Sequence, residues 1–436
     1  MRFDSFELDE EGFQLREDGR PVRLERIPLE LGILLARNPA RLVTREEIVA
    51  RIWGVNHFLE SDSAINTAMR KLRRALRDDP AKARLIETVP GKGYRFIGVT
   101  DEASTGRATD APDPEAMRCF LRGRHAWNKK TAQDYEQAIE WFQQAIDRDA
   151  AFAPPLVGLA YCYLTMGIHG LQPAGEVYPR ARAAAQAALE IDAGLAEAVT
   201  ALADVSKGYD WDFVRAEEEY LRALQLNPDY AVAHQWYANL LSIQGRHDEA
   251  IAQAGEARQR DPLSVGTVGF VGYTLYRARR FDEALSECRR TVEFHKGAPI
   301  AAWFLALVLL QLGRPAEAEE HLLRTLDRSR GAAMHRALLG FAQARAGHRA
   351  EARTALQELL ETAKSRYVSP IDLSTICLGL GDRDGAVEWL QKAFAERVMR
   401  VTELPMPLFD DVRDDPRLAD LRVTLGVRQF GGQLGS

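Results

Sequence analysis

The chain has 436 residues, with 57 basic and 63 acidic side chains and a net charge of −6. That length exceeds one compact core and predicts two or more domains. The longest apolar run, Ala301 to Leu312, falls short of the roughly 18 residues of a membrane span, and the start MRFDSFELDEEG lacks a basic-then-apolar leader, so a soluble cytoplasmic protein that does not cross a membrane is expected.

Three short alternating runs come first, Arg2–Leu8, Phe13–Arg16 and Pro21–Leu24, punctuated by turns at Gly12 and Asp18-Gly19. A helical pattern over Pro28–Arg37 stops at Asn38-Pro39. A second begins at Thr44, where Thr-Arg-Glu-Glu reads as a capping box with Glu47, and runs to Trp53. A third covers Ser63–Arg77 and ends at Asp78-Asp79-Pro80. Two period-2 segments around Pro-Gly-Lys-Gly, from Ile86 to Ile97, predict a β-hairpin.

The third helix carries the chemistry. At about 100° per residue, Ile65, Met69, Leu72 and Leu76 share one face. Asn66, Arg70, Arg73, Arg74 and Arg77 are read on the opposite face, flanked by Thr67 and Lys71. Residues 61–97 hold nine Lys/Arg against four acids, a local +5 on an acidic chain. Such a patch suits a polyanion, and a helix of this width fits the DNA major groove. There arginine can fork onto guanine, asparagine onto adenine, and further cations can neutralise phosphates. An ordinary solvated cationic face is the plain alternative, although like charges three and four residues apart cost an isolated helix stability.

The order of strands, three helices and hairpin resembles the winged helix-turn-helix effector domain of the OmpR/PhoB family over residues 1–100. The resemblance rests on Asn-Pro-Ala-Arg-Leu-Val-Thr-Arg-Glu-Glu-Ile (38–48), Ile-Trp-Gly (52–54), Asp-Ser-Ala-Ile-Asn-Thr-Ala-Met-Arg-Lys-Leu-Arg-Arg-Ala-Leu (62–76) and Thr-Val-Pro-Gly-Lys-Gly-Tyr-Arg-Phe (88–96). It implies double-stranded DNA as partner, with the third helix in the major groove and the hairpin wing in the minor groove. Asn66, Thr67, Arg70, Lys71, Arg73, Arg74, Arg77 and Lys92 become groove and phosphate contacts, and Arg95 the minor-groove residue. Gly91 and Gly93 read as turn residues. The resemblance also implies binding as two copies on tandem sites and kinship with phosphorelay regulators, with no receiver domain expected before residue 1.

Residues 101–115, DEASTGRATDAPDPE, are polar and aperiodic and read as a linker. Beyond them an alanine returns at a fixed interval: Ala216, Ala250, Ala284, Ala318, Ala352 and Ala386, each 34 after the last (250 − 216 = 34, through 386 − 352 = 34). That is the tetratricopeptide period. Ala138 and Ala181 begin irregular earlier units, giving about eight helix pairs over residues 116–427. The tail Leu404–Val427, with Leu418, Leu421 and Leu425 on one helical face, is expected to cap the stack as a helix. The fold class is therefore mainly α: an α+β winged helix domain followed by an α-solenoid.

First helices of such units line the inner curve. Inner positions counted in register include Gln235, Trp236, Asn239, Phe270, Tyr273, Tyr276, Arg277, Trp303, Phe304, Phe341 and Arg345. An aromatic groove of this kind suits a protein, peptide or small ligand. The alternative, that several of these rings are inter-repeat core, stays open at this point.

Neither a Walker sequence, nor H-E-x-x-H, nor G-x-S-x-G occurs, so no catalytic residue, metal or cofactor is expected. Cys119, Cys162, Cys288 and Cys377 lack metal-binding spacing and read as core residues. The expected function is a sequence-specific transcriptional regulator whose repeats sense or recruit a partner. The rival is an interaction scaffold whose winged helix binds protein, or DNA without sequence preference.

Overall fold

The computed structural model describes residues 1–9, 14–22, 24–52, 61–80, 82–89, 92–98, 112–128, 132–329 and 332–426. Phe13, Trp53, Gly54, Gly91, most of the expected linker (101–111) and residue 427 lie outside that set. The chain forms two compact units, Met1–Ala111 and Pro112–Ser436.

The first unit opens with β1 (Arg2–Phe3), β2 (Phe6–Asp9), β3 (Gln14–Glu17) and β4 (Arg20–Val22), a four-stranded antiparallel sheet in chain order. The expected single run Arg2–Leu8 is broken in two. Phe3 pairs with Phe6 across Asp4-Ser5, and Asp4 takes φ 52°, a left-handed conformation that Asp tolerates. Then come α1 (Arg26–Ala36), β5 (Leu42–Thr44), α2 (Arg45–Ile52), α3 (Ser61–Leu76), β6 (Ile86–Val89) and β7 (Gly93–Phe96). The second sheet runs β5-β7-β6. Strand β5 has too few residues for a period-2 signal; it exists because Leu42–Thr44 pairs with Gly93–Arg95.

The capping box is present in both directions. Thr44 Oγ1 accepts from the Glu47 N–H at 3.1 Å, and the Thr44 N–H donates to Glu47 Oε2 at 2.9 Å. Helix α3 stops in a Schellman arrangement: the Asp78 N–H reaches Arg73 O at 2.9 Å and the Arg77 N–H reaches Arg74 O at 3.3 Å. Arg77 therefore sits at φ 51°, where glycine is usual. Ile65, Met69, Leu72 and Leu76 are all buried, against Leu8, Leu31, Leu35 and Phe96 among others.

The second unit stacks eight helix pairs among the described residues: α4 (Pro114–Asn128) with α5 (Ala132–Arg148), α6 (Pro154–Ile168) with α7 (Ala174–Ile191), α8 (Ala196–Val205) with α9 (Phe213–Leu226), α10 (Ala231–Ile243) with α11 (His247–Arg260), α12 (Val265–Arg277) with α13 (Phe281–Phe294), α14 (Pro299–Gln311) with α15 (Pro315–Thr325), α16 (Ala333–Ala346) with α17 (Arg349–Thr362), and α18 (Pro370–Leu380) with α19 (Arg383–Ala395). Helix α4 starts at Pro114, inside the stretch expected to be linker. The ladder alanines from Ala138 to Ala386 are all completely buried. Small residues there let neighbouring helices approach, and in five of the units a larger one four positions on (Phe142, Tyr220, Cys288, Leu322 and Leu390) is buried beside them. A Cβ on Gly123 or Gly158 would lie 2.7 or 2.6 Å from the Phe142 ring, and one on Gly272 would lie 2.5 Å from Cys288 Sγ. All four cysteines are buried and unbridged, and burial pushes the Cys288 thiol up to about 12 and the Cys377 thiol up to about 11.

The tail departs from expectation. Residues from Met399 onward form short 3₁₀ turns (Met399–Glu403, Pro407–Phe409, Pro416–Leu418) and one short helix, α20 (Ala419–Thr424). Pro405, Pro407 and Pro416 forbid a continuous helix over Leu404–Val427. Leu418, Leu421 and Leu425 are buried nonetheless. Among the described residues no helix is long and apolar enough to cross a membrane.

Candidate nucleic-acid interface and repeat groove

Helix α3 presents Asn66, Arg70 and Arg74 outward, and all three are exposed. Among the described residues, the side chains of Arg70 and Arg74 have no partner, nor does that of Lys92 at the wing turn. Asn66 is fixed from behind. Its Oδ1 accepts from Arg45 Nη2 at 2.6 Å, from Arg45 Nη1 at 3.3 Å and from the Tyr94 hydroxyl at 3.1 Å. Arginine can only donate, which settles the orientation of the amide. With its oxygen committed, Asn66 offers only its NH2 outward. The two-way contact to adenine, which needs a donor and an acceptor, is not available in this arrangement.

Arg73 is a correction to the sequence reading. It is only 8% exposed. Its Nη2 donates to Ile86 O and to Thr88 Oγ1, both at 2.8 Å, and its Nε lies 3.6 Å from Asp78 Oδ2. Four residues after buried Met69, Arg73 stands on the flank of the core stripe, not on the opposite face. It fastens α3 to the wing. Asp78 completes the joint by accepting the backbone N–H groups of Arg84 (2.7 Å), Leu85 (2.9 Å) and Ile86 (3.1 Å).

Three further expected contacts are cations already held by a glutamate. Lys71 Nζ is 2.6 Å from Glu25, Arg77 is 3.0 Å from Glu17, and Arg95 Nη1 is 2.8 Å from Glu87, its cross-strand neighbour. Thr67 is half-buried. Gly93 takes φ 155° and lies so close to Val43 and Thr44 that no Cβ fits, in keeping with a structural glycine. Between α3 and the wing is a recess of about 330 Å³ lined by Asn66, Met69, Arg70, Arg73, Arg74, Asp78, Pro80, Thr88 and Tyr94.

The expected repeat groove is largely filled. Tyr273, Tyr276, Arg277, Trp303, Phe304 and Phe341 are all buried, at 1–7% exposure, and Phe270 with them. Part of the cover is neighbouring repeats, with Gly269 against Phe304 and Gly379 against Phe341, and part is the chain's own tail. The Tyr273 hydroxyl donates to Glu403 Oε1 at 3.5 Å, and Arg279 grips both Asp410 oxygens at 2.7 and 2.6 Å. Arg345 reaches Asp411 at 3.0 Å, and buried Arg400 pairs with buried Asp372 at 2.6 Å. Val401, Leu404, Met406, Leu408 and Phe409 join the core beside those aromatics. The end of the last helix pair and the start of the tail also touch the early repeats. Arg397 donates to Tyr209 O at 3.0 Å, Trp211 stacks on Phe394 at 5.1 Å, and Met399 leaves no room for a Cβ at Gly208. Gln235, Trp236 and Asn239 remain partly exposed, with Trp236 edge-on to Tyr161 at 5.4 Å.

Residues 19–96 match the family described as Transcriptional regulatory protein, C terminal, and tetratricopeptide repeat families match residues 123–152, 219–252 and 272–333. The N-terminal unit is an OmpR/PhoB-type domain, and tetratricopeptide repeats follow it. KdpE of Mycobacterium tuberculosis (strain ATCC 25618 / H37Rv) is 39% identical over 95 residues, 21% of this chain and 41% of its own. HprR of Escherichia coli (strain K12) is 30% identical over 99 residues, 23% of this chain and 44% of its own. The chain thus spans less than half the length of these curated relatives. Among solved structures, the DNA-binding domain of Klebsiella pneumoniae RstA in complex with RstA box aligns over 22% of this chain and 95% of its own, at 23% identity and TM-score 0.21. Yeast Tom70 aligns over 91% of this chain and 83% of its own, at 15% identity and TM-score 0.46.

Within this OmpR/PhoB-type domain the residues that sequence reasoning missed are Arg45, Asp78, Glu87 and Thr88. Arg45 was signalled only indirectly: as the first residue after the Thr44 cap, it opens α2 beside the wing, where its N–H also donates to Lys92 O at 3.1 Å. Glu87 was legible as the cross-strand neighbour of Arg95 once the hairpin register was known.

Proposed function

We propose that this chain is a sequence-specific DNA-binding transcriptional regulator that acts by binding and not by turnover. In this reading α3 enters the major groove, the β6–β7 wing reaches the adjacent minor groove, and the repeats receive a protein or small ligand. The observation that carries it is the pair of exposed, unpartnered guanidiniums of Arg70 and Arg74 on an OmpR/PhoB-type α3. Such groups favour a polyanion, and among the described residues of their unit nothing neutralises them. The closed inner face of the repeats directs any incoming partner to the outer surface and to the partly exposed Gln235, Trp236 and Asn239. Selection of bound duplexes from random DNA tests the reading, followed by titration of the selected site. Enrichment of a defined sequence is expected, with Arg70→Ala flattening the plot of log K against log salt by about 0.9. Uniform binding to all sequences would instead favour the scaffold.

A further inference from the structure

Residues 404–412, Leu-Pro-Met-Pro-Leu-Phe-Asp-Asp-Val, lie along the inner face of the late repeats as a strap fixed at both ends. At one end Arg400 pairs with Asp372 at 2.6 Å and with Glu403 at 3.2 Å. At the other, Arg417 pairs with Asp384 at 2.9 Å, and Gln391 donates to Arg417 O at 3.1 Å. Between these anchors several backbone N–H groups bond within the strap: Met406 to Glu403 O, Phe409 to Met406 O and Val412 to Phe409 O. Those bonds survive if the strap lifts. Its grip on the repeats is apolar through Leu404, Met406 and Phe409, and ionic at the rim, with Asp410 on Arg279 and Asp411 on Arg345. The polar floor beneath it is served badly. The Tyr273 hydroxyl lies 3.5 Å from Glu403 Oε1 and 3.5 Å from Arg277 Nη1, both beyond the roughly 3.2 Å of an ordinary hydrogen bond. Arg277 and Trp303 are buried beside Tyr273, and their Nη2 and Nε1 meet no acceptor among the described residues. A buried donor without an acceptor costs more than a made hydrogen bond returns. The strap therefore fills the apolar groove and leaves its donors unused.

We propose that the inner face under the strap is a docking site for an apolar peptide segment bearing carboxylates, and that the strap is the chain's own stand-in for it. This role rests on the reading above that the repeats receive a partner, and it names that partner's chemistry. Charge favours such a segment: the site presents Arg277, Arg279 and Arg345, and the strap answers with two acids and no base. Exchanging the strap for a similar segment leaves the buried apolar area nearly unchanged, so the polar groups decide the exchange. Two fixed ends hold the strap in one register, with Asp410 and Asp411 at the rim. A free segment can slide inward and bring a carboxylate to Arg277 and Trp303. Against it stands the strap's effective concentration, on the order of millimolar for a short tether. With the strap seated, an incoming partner meets the outer surface and the open edge at Trp236; the inner site becomes available when the strap lifts.

The test uses the full chain without DNA and a fluorescent synthetic peptide of the strap sequence, residues 404–412, with a free C-terminal carboxylate, read by anisotropy. Weak binding to the unmodified chain is expected. Asp410→Asn together with Asp411→Asn frees the rim of the strap and leaves both anchors in place. The pair should raise peptide affinity severalfold, up to about tenfold, as the loss of two competing surface ion pairs allows. In that background Arg277→Met should weaken the peptide about tenfold, as the loss of a hydrogen bond to a charged group does, and leave the melting temperature of the peptide-free chain unchanged or higher. A peptide carrying Asn in place of both Asp residues should compete poorly with the acidic one. Equal peptide affinity in the unmodified chain and the double variant overturns the assignment. A melting temperature lowered by Arg277→Met with peptide affinity intact marks Arg277 as structural and overturns it too. Concentration-dependent dimerisation of the double variant without peptide uptake would make the strap of a second copy the occupant, and overturn the assignment to a separate partner. Each of these failures leaves the DNA-binding reading standing, and failure of the chain to select a DNA sequence leaves the peptide measurement standing.

Discussion

Two surfaces rich in arginine and aromatic or polar side chains were expected to receive partners, and the protein treats them in opposite ways. The outer face of α3 stays open, while much of the inner face of the repeats is filled by neighbouring repeats and the chain's own tail. The difference follows from what each surface is made of. An apolar groove gains from any apolar segment that reaches it, at about 25 cal/mol per Å² removed from water, and the tail from Val398 to Val412 supplies Val401, Leu404, Met406, Leu408 and Phe409. A cationic helix face has no such general remedy. It can be neutralised residue by residue, as Glu25, Glu17 and Glu87 do for Lys71, Arg77 and Arg95, or left for an external anion, as at Arg70 and Arg74.

Breaking the closed surface should have the largest effect. Arg400→Met removes the partner of the fully buried Asp372 and is expected to cost about 3–5 kcal/mol of repeat stability, read by thermal or denaturant unfolding. Because the tail bridges early and late repeats, the loss should extend to Tyr209 and Trp211 and not stay local. Hydrogen exchange confined to the last pair would contradict that. On the open surface, Arg70→Ala should lower affinity for the selected duplex and flatten its salt dependence, with unfolding unchanged.

The pH dependence should also separate the two regions. Burial holds His335 below the ordinary 6.5, although a hydrogen bond with Leu322 O opposes it. His247 is lowered by burial and by Arg277 and Arg279, and His321 chiefly by burial. These rings take up a proton more readily in the unfolded chain. The stability they contribute is therefore complete above pH 6.5 and is lost as pH falls below it, by at most about 1.4 kcal/mol per pH unit for each fully shifted group. Unfolding melts at pH 7.5 and 5.5 should show the loss in the repeats, and His335→Gln should reduce it. The smallest effect is expected at Lys71→Ala. A lysine already held by Glu25 in an exposed pair should change DNA affinity by less than about 1 kcal/mol, and a loss equal to that of Arg70→Ala would erase the distinction between held and free cations.

Much of the architecture was legible because it is periodic. The alanine interval set the register of the last five repeats, and the apolar stripe of α3 identified its buried side residue by residue. Arg73 was misplaced because its angle, on the flank of the core stripe, was read as the opposite face; Ile86 O and Thr88, which bury it, arrive from a strand 13 and 15 residues later. For the aromatics from Tyr273 to Phe341 local spacing left groove and core both open, and part of what decides it lies at long range, since Glu403 and Met406 lie 130 and 133 residues beyond Tyr273.

By itself, then, the sequence determined the two-part organisation, the repeat and its period, the capping box at Thr44 and the cationic character of α3. These depend on interactions within a few residues or on a repeated local rule, and local spacing records both. Only the tertiary structure decided which cations are free, which way the Asn66 amide faces, and that the repeat groove is filled. Each of those is a competition between groups far apart in the chain, settled by burial and by which donor meets which acceptor first.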